Sequence, residues 1–256
     1  MAWSSPVRAC CRAAPRSTGF TMQFNRPPAP ESEGLAEGGP DGSSDTFSAM
    51  PLDLASLVDP AHTALLTQEC QNGVIGDESA LPQLADAARP IRPNLARLAG
   101  AARSAGVSVV HALAARREDG RGSNTNARLF QGVKKSPVPL LPGSTATQVV
   151  PELGPAPTDL CSTRLHGLGP IAGTDVDALL RNLGVTTVVG VGVSVNVGLT
   201  NLVMDAVNLG YQVVVPRDAV AGLPKDYADA VIDNTLALLA TLTTTDELVA
   251  IWSGAA

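Results

Sequence analysis

The stretch Thr186–Asp218, TTVVGVGVSVNVGLTNLVMDAVNLGYQVVVPRD, decides the fold. Val188, Val189 and Val191 form a short apolar run, the composition of a strand buried on both faces of a parallel sheet. Gly190, Gly192 and Gly198 punctuate the turn after it, and Asn196 stands where a helix N-cap is expected. Leu199, Leu202, Val203, Ala206 and Leu209 fall at helical spacing, Gly210 ends the helix, and Gln212–Val215 is the next strand. In such an α/β unit the strand's carboxyl end and the helix's amino end border one crevice, where ligands bind. Any site this chain has is therefore expected beside the 192–198 turn.

Several catalytic signatures fail on this turn. A dinucleotide fingerprint needs a third glycine at position 195, which is valine. A nucleophile elbow around Ser194 lacks its last glycine, and His62, His111 and His166 all precede that serine. No glycine-rich turn ends in Gly-Lys-Ser/Thr, so a P-loop is absent.

The run G-V-S-V-N-V-G over 192–198, followed by Asp205-Ala206, Gly210-Tyr211 and Asp218-Ala219, resembles the isochorismatase-like cysteine hydrolases, which include nicotinamidases and related amidohydrolases. The resemblance implies a three-layer α/β/α fold with a doubly wound parallel sheet of about six strands. It places Gly198 at the position of the family's catalytic cysteine, and a glycine has no nucleophile. It also implies an oxyanion-binding turn over Val193, Ser194, Asn196 and Val197, with a non-proline cis peptide at Val193–Ser194.

Upstream, His62–Asn72 resembles the family's first strand. The Gln71-Asn72 pair puts Glu69 at the position of the catalytic aspartate, as a general base or as a strand-end residue that binds loop groups. The family lysine aligns with Arg164 or Leu165, depending on one gap. Arg164 is the chemically sensible equivalent. It stays protonated and so donates protons poorly, yet it can bind a carboxylate, polarise a carbonyl or pair with Glu69. Strand alternation turns Cys70 away from the crevice, which leaves Cys161 as the better-placed substitute thiol. Gln71, Asn124, Asn126 and His166 are further candidates for substrate contact.

The rest of the chain is consistent with one such domain over 50–256. An amphipathic helix spans 92–105 and a second strand Val107–Leu113, where His111 reads as a core or strand-end residue. Residues 114–160 read as a long irregular region of the kind that forms lids or substrate walls. A third strand is expected over 160–164, a helix over Asp177–Leu183, another over Tyr227–Leu242, an edge strand over Thr241–Thr244 and a short helix ending near Trp252. Residues 1–49, rich in Gly, Pro and Ser, read as a disordered extension, or as an over-extended start with initiation at Met22 or Met50.

Composition bounds the function classes. A net charge of −6 argues against nucleic acid or an acidic membrane as the main partner. No stretch approaches the ~20 apolar residues of a membrane span. The four cysteines show neither metal-ligand nor disulfide spacing, which fits a cytoplasmic setting. No Asp-x-His-x-His run exists, so neither metal nor cofactor is expected. The expected partner is a small-molecule substrate or ligand, and the family resemblance adds a homo-oligomer. Three functions fit these residues: a non-covalent hydrolase of a small amide, carbamoyl or vinyl-ether/carboxylated substrate, an inactive small-molecule-binding module, and a structural subunit.

Overall fold

The computed structural model of this protein describes residues 53–255. The extension read as disordered over 1–49 and the domain start at 50 lie outside the described residues. Strands β1 (Thr63–Gln68), β2 (Ser108–Ala114), β3 (Leu160–Arg164), β4 (Thr187–Val193), β5 (Gln212–Pro216) and β7 (Thr241–Thr243) form a sheet in the order β3-β2-β1-β4-β5-β7. The two-residue β6 (Val220–Ala221) pairs with β4. Every pairing is parallel.

Nine helices are described: α1 (Leu54–Leu57), α2 (Asn72–Ile75), α3 (Pro82–Ala88), α4 (Arg92–Ala105), α5 (Arg128–Lys134), α6 (Val176–Asn182), α7 (Thr200–Asn208), α8 (Lys225–Asn234) and α9 (Thr245–Trp252). Alternation along the strands splits the core in two. Leu65 and Val189 face a cluster with Leu95 and Leu98 of α4 and Leu248 and Trp252 of α9. Leu66 and Val188 face the opposite cluster, with Leu180 of α6, Leu202 and Val203 of α7 and Ile232 of α8. This is the expected three-layer doubly wound architecture. The chain winds outward from β1 to β3, then returns to the other side of β1 with β4. The reversal opens a crevice at the carboxyl ends of β1 and β4.

Local chemistry sets the boundaries. Helix α4 stops at Gly106, whose φ of +83° is a left-handed cap that a glycine adopts without strain. A capping box opens α9: the Thr244 hydroxyl accepts from the Glu247 N–H while the Glu247 carboxylate accepts from the Thr244 N–H. The helix expected over Tyr227–Leu242 is shorter. It ends at Asn234, whose Nδ2 donates to the Ala230 carbonyl, and a 3₁₀ turn over Leu236–Leu238 leads into β7. The 236–240 leucines and alanines have helical spacing, but the chain tightens into the 3₁₀ turn there and the edge strand starts at Thr241.

His111 is fully buried between Thr67, whose Oγ1 lies 2.8 Å from its Nδ1, and Asp159, whose Oδ2 lies 3.1 Å from its Nε2. Arg103 completes the cluster with a forked pair of bonds to the same carboxylate. Burial pushes the His111 imidazole below its ordinary 6.5, and the Asp159 carboxylate offsets only part of that. Burial also works against the Asp159 charge, but bonds from Arg103, the Ala156 N–H and His111 outweigh it and hold that carboxyl below its ordinary range.

Two outcomes are expected from this packing. Leu202, with no exposed surface, is expected to cost about 2–5 kcal/mol on truncation to alanine, while Leu238→Ala, at 82% exposed, stays within about 0.5 kcal/mol in urea melts. As the pH falls through 6.5 the unfolded chain protonates His111 more readily than the fold does, so the unfolded state binds more protons and stability falls as the solution is acidified. The melting temperature is expected to drop between pH 7.5 and 5.5, with a shallower slope in His111→Gln; an unchanged slope would assign the drop to other groups.

Candidate active site

At the end of β1 the chain makes an abrupt turn at Glu69. Its φ of +52° is the one positive value of a non-glycine residue among the described residues. A side chain in that region is strained, and strain of this kind survives only where surrounding bonds enforce it. The Glu69 N–H donates to the Ala112 carbonyl at 2.9 Å, which pins the turn to β2. The turn sends the Glu69 side chain to the crevice and Cys70 into the core beside Val74 and Ile75.

Arg164 ends β3, two strands away. Its Nη2 donates to Glu69 Oε1 and, at 3.0 Å, to the Leu168 carbonyl. Both side chains are largely removed from water, at 4% exposed for Arg164 and 18% for Glu69. Nε and Nη1 of Arg164 are buried without a protein partner. Of the two candidates Arg164 and Leu165, Arg164 is the one that pairs with Glu69. The pair lies in the lining of a cavity of about 670 Å³, together with Ser194, Asn196, Val197 and Gly198 of the turn.

The turn after β4 begins with a cis peptide at Val193–Ser194, as the resemblance implies. A π-helical turn over Val195–Leu199 then enters α7. The N–H groups of Val197 and Leu199 both donate to the Ser194 carbonyl, at 3.2 and 2.9 Å. The Val197 N–H is thus already engaged within the turn. Asn196 is not the N-cap. It sits inside the π turn, where its Nδ2 donates to the Leu223 carbonyl at 3.1 Å and its Oδ1 is buried without a partner. Val193 is wholly buried in the core, so its side chain takes no part in the lining.

A side chain at position 198 would meet an obstacle that the sequence does not reveal. A Cβ built there lies 2.8 Å from Nε2 of Gln68 and 3.3 Å from the Val193 carbonyl oxygen. Gln68 has no exposed surface, and neither of its amide atoms has a partner. The Gln68 carboxamide thus fills the space toward which a side chain at 198 would point.

The other candidates divide. His166 lines the cavity, as does Asn124, whose Oδ1 accepts from the Gly167 N–H at 2.8 Å and so ties two walls together. Asn126 lies outside the lining and accepts from Asn124 Nδ2 at 3.2 Å. Gln71 is a structural clamp rather than a substrate contact. Buried and outside the cavity lining, it donates to the carbonyls of Ala114 and Ala146 and accepts from the Ala114 N–H, which engages both amide hydrogens and one lone pair of its oxygen. Neither described cysteine reaches the cavity. The Cys70 thiol is pushed up to about 12, first by burial and then by the Glu69 charge. Cys161 sits on an exposed position of β3, outside the lining, and burial followed by the Asp159 charge raises its thiol as well. The sequence pattern did not disclose Gln68 or the apolar walls. One signal for the latter was present: Leu129, Phe130 and Val133 share a helix face within the region read as irregular, and that face belongs to α5.

The sequence matches the isochorismatase domain over residues 63–247. The chain belongs to the isochorismatase family. The chain is 30% identical over 100 residues to YwoC, an uncharacterized isochorismatase family protein of Bacillus subtilis; that match covers 39% of this chain and 52% of YwoC, about half its length. Among solved structures, the fold resembles a cysteine hydrolase from Pseudomonas syringae, with a TM-score of 0.68 and 23% identity over 78% of this chain and 96% of that one. It also resembles N-carbamoylsarcosine amidase from Thermoplasma acidophilum, with a TM-score of 0.58 and 20% identity over 72% of this chain and 97% of that one.

The contact between Gln68 and position 198 is open to a double-mutant cycle. Gly198→Cys is expected to cost about 1–3 kcal/mol by overpacking, and much less in a Gln68→Ala background. Strict additivity of the two changes in urea melts would show that the side chains do not meet.

Proposed function

We propose that this isochorismatase domain hydrolyses a small amide or carbamoyl substrate without a covalent intermediate. One observation carries the reading: a mostly buried Glu69–Arg164 pair lines a cavity beside the π turn, and neither described cysteine does. Glu69 takes a proton from a water molecule as that water adds to the carbonyl carbon. The carbonyl oxygen gains negative charge, which the Arg164 guanidinium stabilises; the fixed geometry of the pair makes that stabilisation preorganised. Collapse of the adduct breaks the C–N bond, and Glu69 returns the proton to the leaving nitrogen. One water is consumed, and an acid and an amine are released; a carbamoyl substrate yields a carbamic acid in place of the simple acid. The amidase activity in the name of the Thermoplasma structure supports this substrate class through the shared fold.

A second reading rests on a specific contact. Glu69 Oε1 is already engaged by Arg164, which suits a neutral ion pair in a ligand-binding module as well as a base. Turnover separates the two. Wild type is expected to hydrolyse members of a panel of primary amides and N-carbamoyl compounds, with kcat lowered at least about 100-fold in Glu69→Gln. Ligand-induced stabilisation without any turnover would favour the binding module.

A further inference from the structure

We propose that the cavity takes an amphiphilic substrate: an apolar acyl or aryl body attached to the amide or carbamoyl head. The assignment of that head to Glu69 and Arg164 rests on the hydrolase reading above; the apolar body rests on the cavity walls alone.

The first observation is size. At about 670 Å³ the cavity falls within the roughly 300–1,000 Å³ that encloses ligands much larger than a bare amide group. The second is the distribution of polarity. The charged and titratable lining consists of Glu69, Arg164, Arg116 and His166. The wall built by α2, α3 and α5 carries no charge; Gln83 is polar, and Val74, Leu84, Phe130 and Val133 supply apolar surface. The third is the state of α5. None of its residues is buried in the protein, yet Leu129, Phe130 and Val133 present an apolar face to the cavity. A helix that packs its apolar face onto a cavity instead of a core leaves that face to be covered by what enters.

Three of the exposed large apolar side chains gather at the same place, while Leu183, Met204, Val207, Leu209, Tyr227 and Leu238 lie outside this lining. Leu129, Leu165 and Leu168, exposed by 43%, 36% and 36%, all line this cavity. Single exposed leucines need no explanation, but a cluster of them around one concavity marks a binding surface. A wholly polar substrate would leave this surface in contact with water and gain nothing from it. An acyl chain or aromatic ring covers it, and each buried methylene contributes about fourfold in affinity, the equivalent of ~0.8 kcal/mol.

Straight-chain primary amides from acetamide to octanamide test this with wild type, Phe130→Asn and Glu69→Gln. In wild type kcat/KM is expected to rise about fourfold per methylene until the cavity is filled. Phe130→Asn, with an unchanged circular dichroism spectrum, flattens that rise. Glu69→Gln loses turnover but keeps a rise in melting temperature that grows with chain length. A graded rise in wild type without turnover would uphold the apolar body and remove the hydrolase reading. Equal kcat/KM for acetamide and octanamide would overturn the apolar body and leave the hydrolase reading in place. The absence of both turnover and a graded rise would overturn both. A chain-length profile in Phe130→Asn identical to wild type would place the body outside this cavity and overturn the assignment.

Discussion

The carboxyl ends of β1 and β4 meet where no side chain fits. Gln68 pairs in register with Gly192, whose φ is +105°, and a Cβ at 192 would collide with the Gln68 carbonyl oxygen. Only a glycine lets the two central strands finish side by side. Everything at the crevice depends on this contact. It sets β1 to end at Gln68 and β4 to end at Val193, so that the turns beginning at Glu69 and Ser194 open toward one cavity. The topological reversal decides that they are neighbours, and the missing side chain decides how close they come.

Around that contact the site holds its groups in costly states. Glu69 keeps a backbone conformation that suits glycine, and Arg164 leaves water almost completely. A buried pair gains little net stability over apolar residues of the same volume, because desolvation offsets most of the attraction. The core around β1 and β4 is already complete in valine, leucine and alanine, so the pair is not needed to fill space. Its presence in the lining of the 670 Å³ cavity gives it a role toward what binds there.

The long connection between β2 and β3 supplies the opposite wall. It is not featureless: α5 and two 3₁₀ turns organise it, and the Asn124 bond to Gly167 ties it to the loop after β3. The two sides of the cavity therefore differ in character. The sheet side presents rigid, polar groups at strand ends, while the α5 side presents apolar surface on a connection with no core of its own beneath it.

The sequence by itself determined the strand–turn–helix–strand unit over 186–218, because strand and helix periodicities are local and that unit carries both. The three-layer fold and the candidates Glu69 and Arg164 were legible through the family resemblance of that unit and of the residues around 62–72 and 160–175. Only the tertiary structure decided which of these residues meet. Glu69 and Arg164 are 95 positions apart and become partners through the strand order β3-β2-β1. Gln71 looked like a ligand contact and proved to be a clamp, because its amide is satisfied by backbone groups 43 and 75 positions away. The occupied space at Gly198 was equally illegible, because the side chain of Gln68, distant in sequence, competes for the same place and no local pattern records that competition.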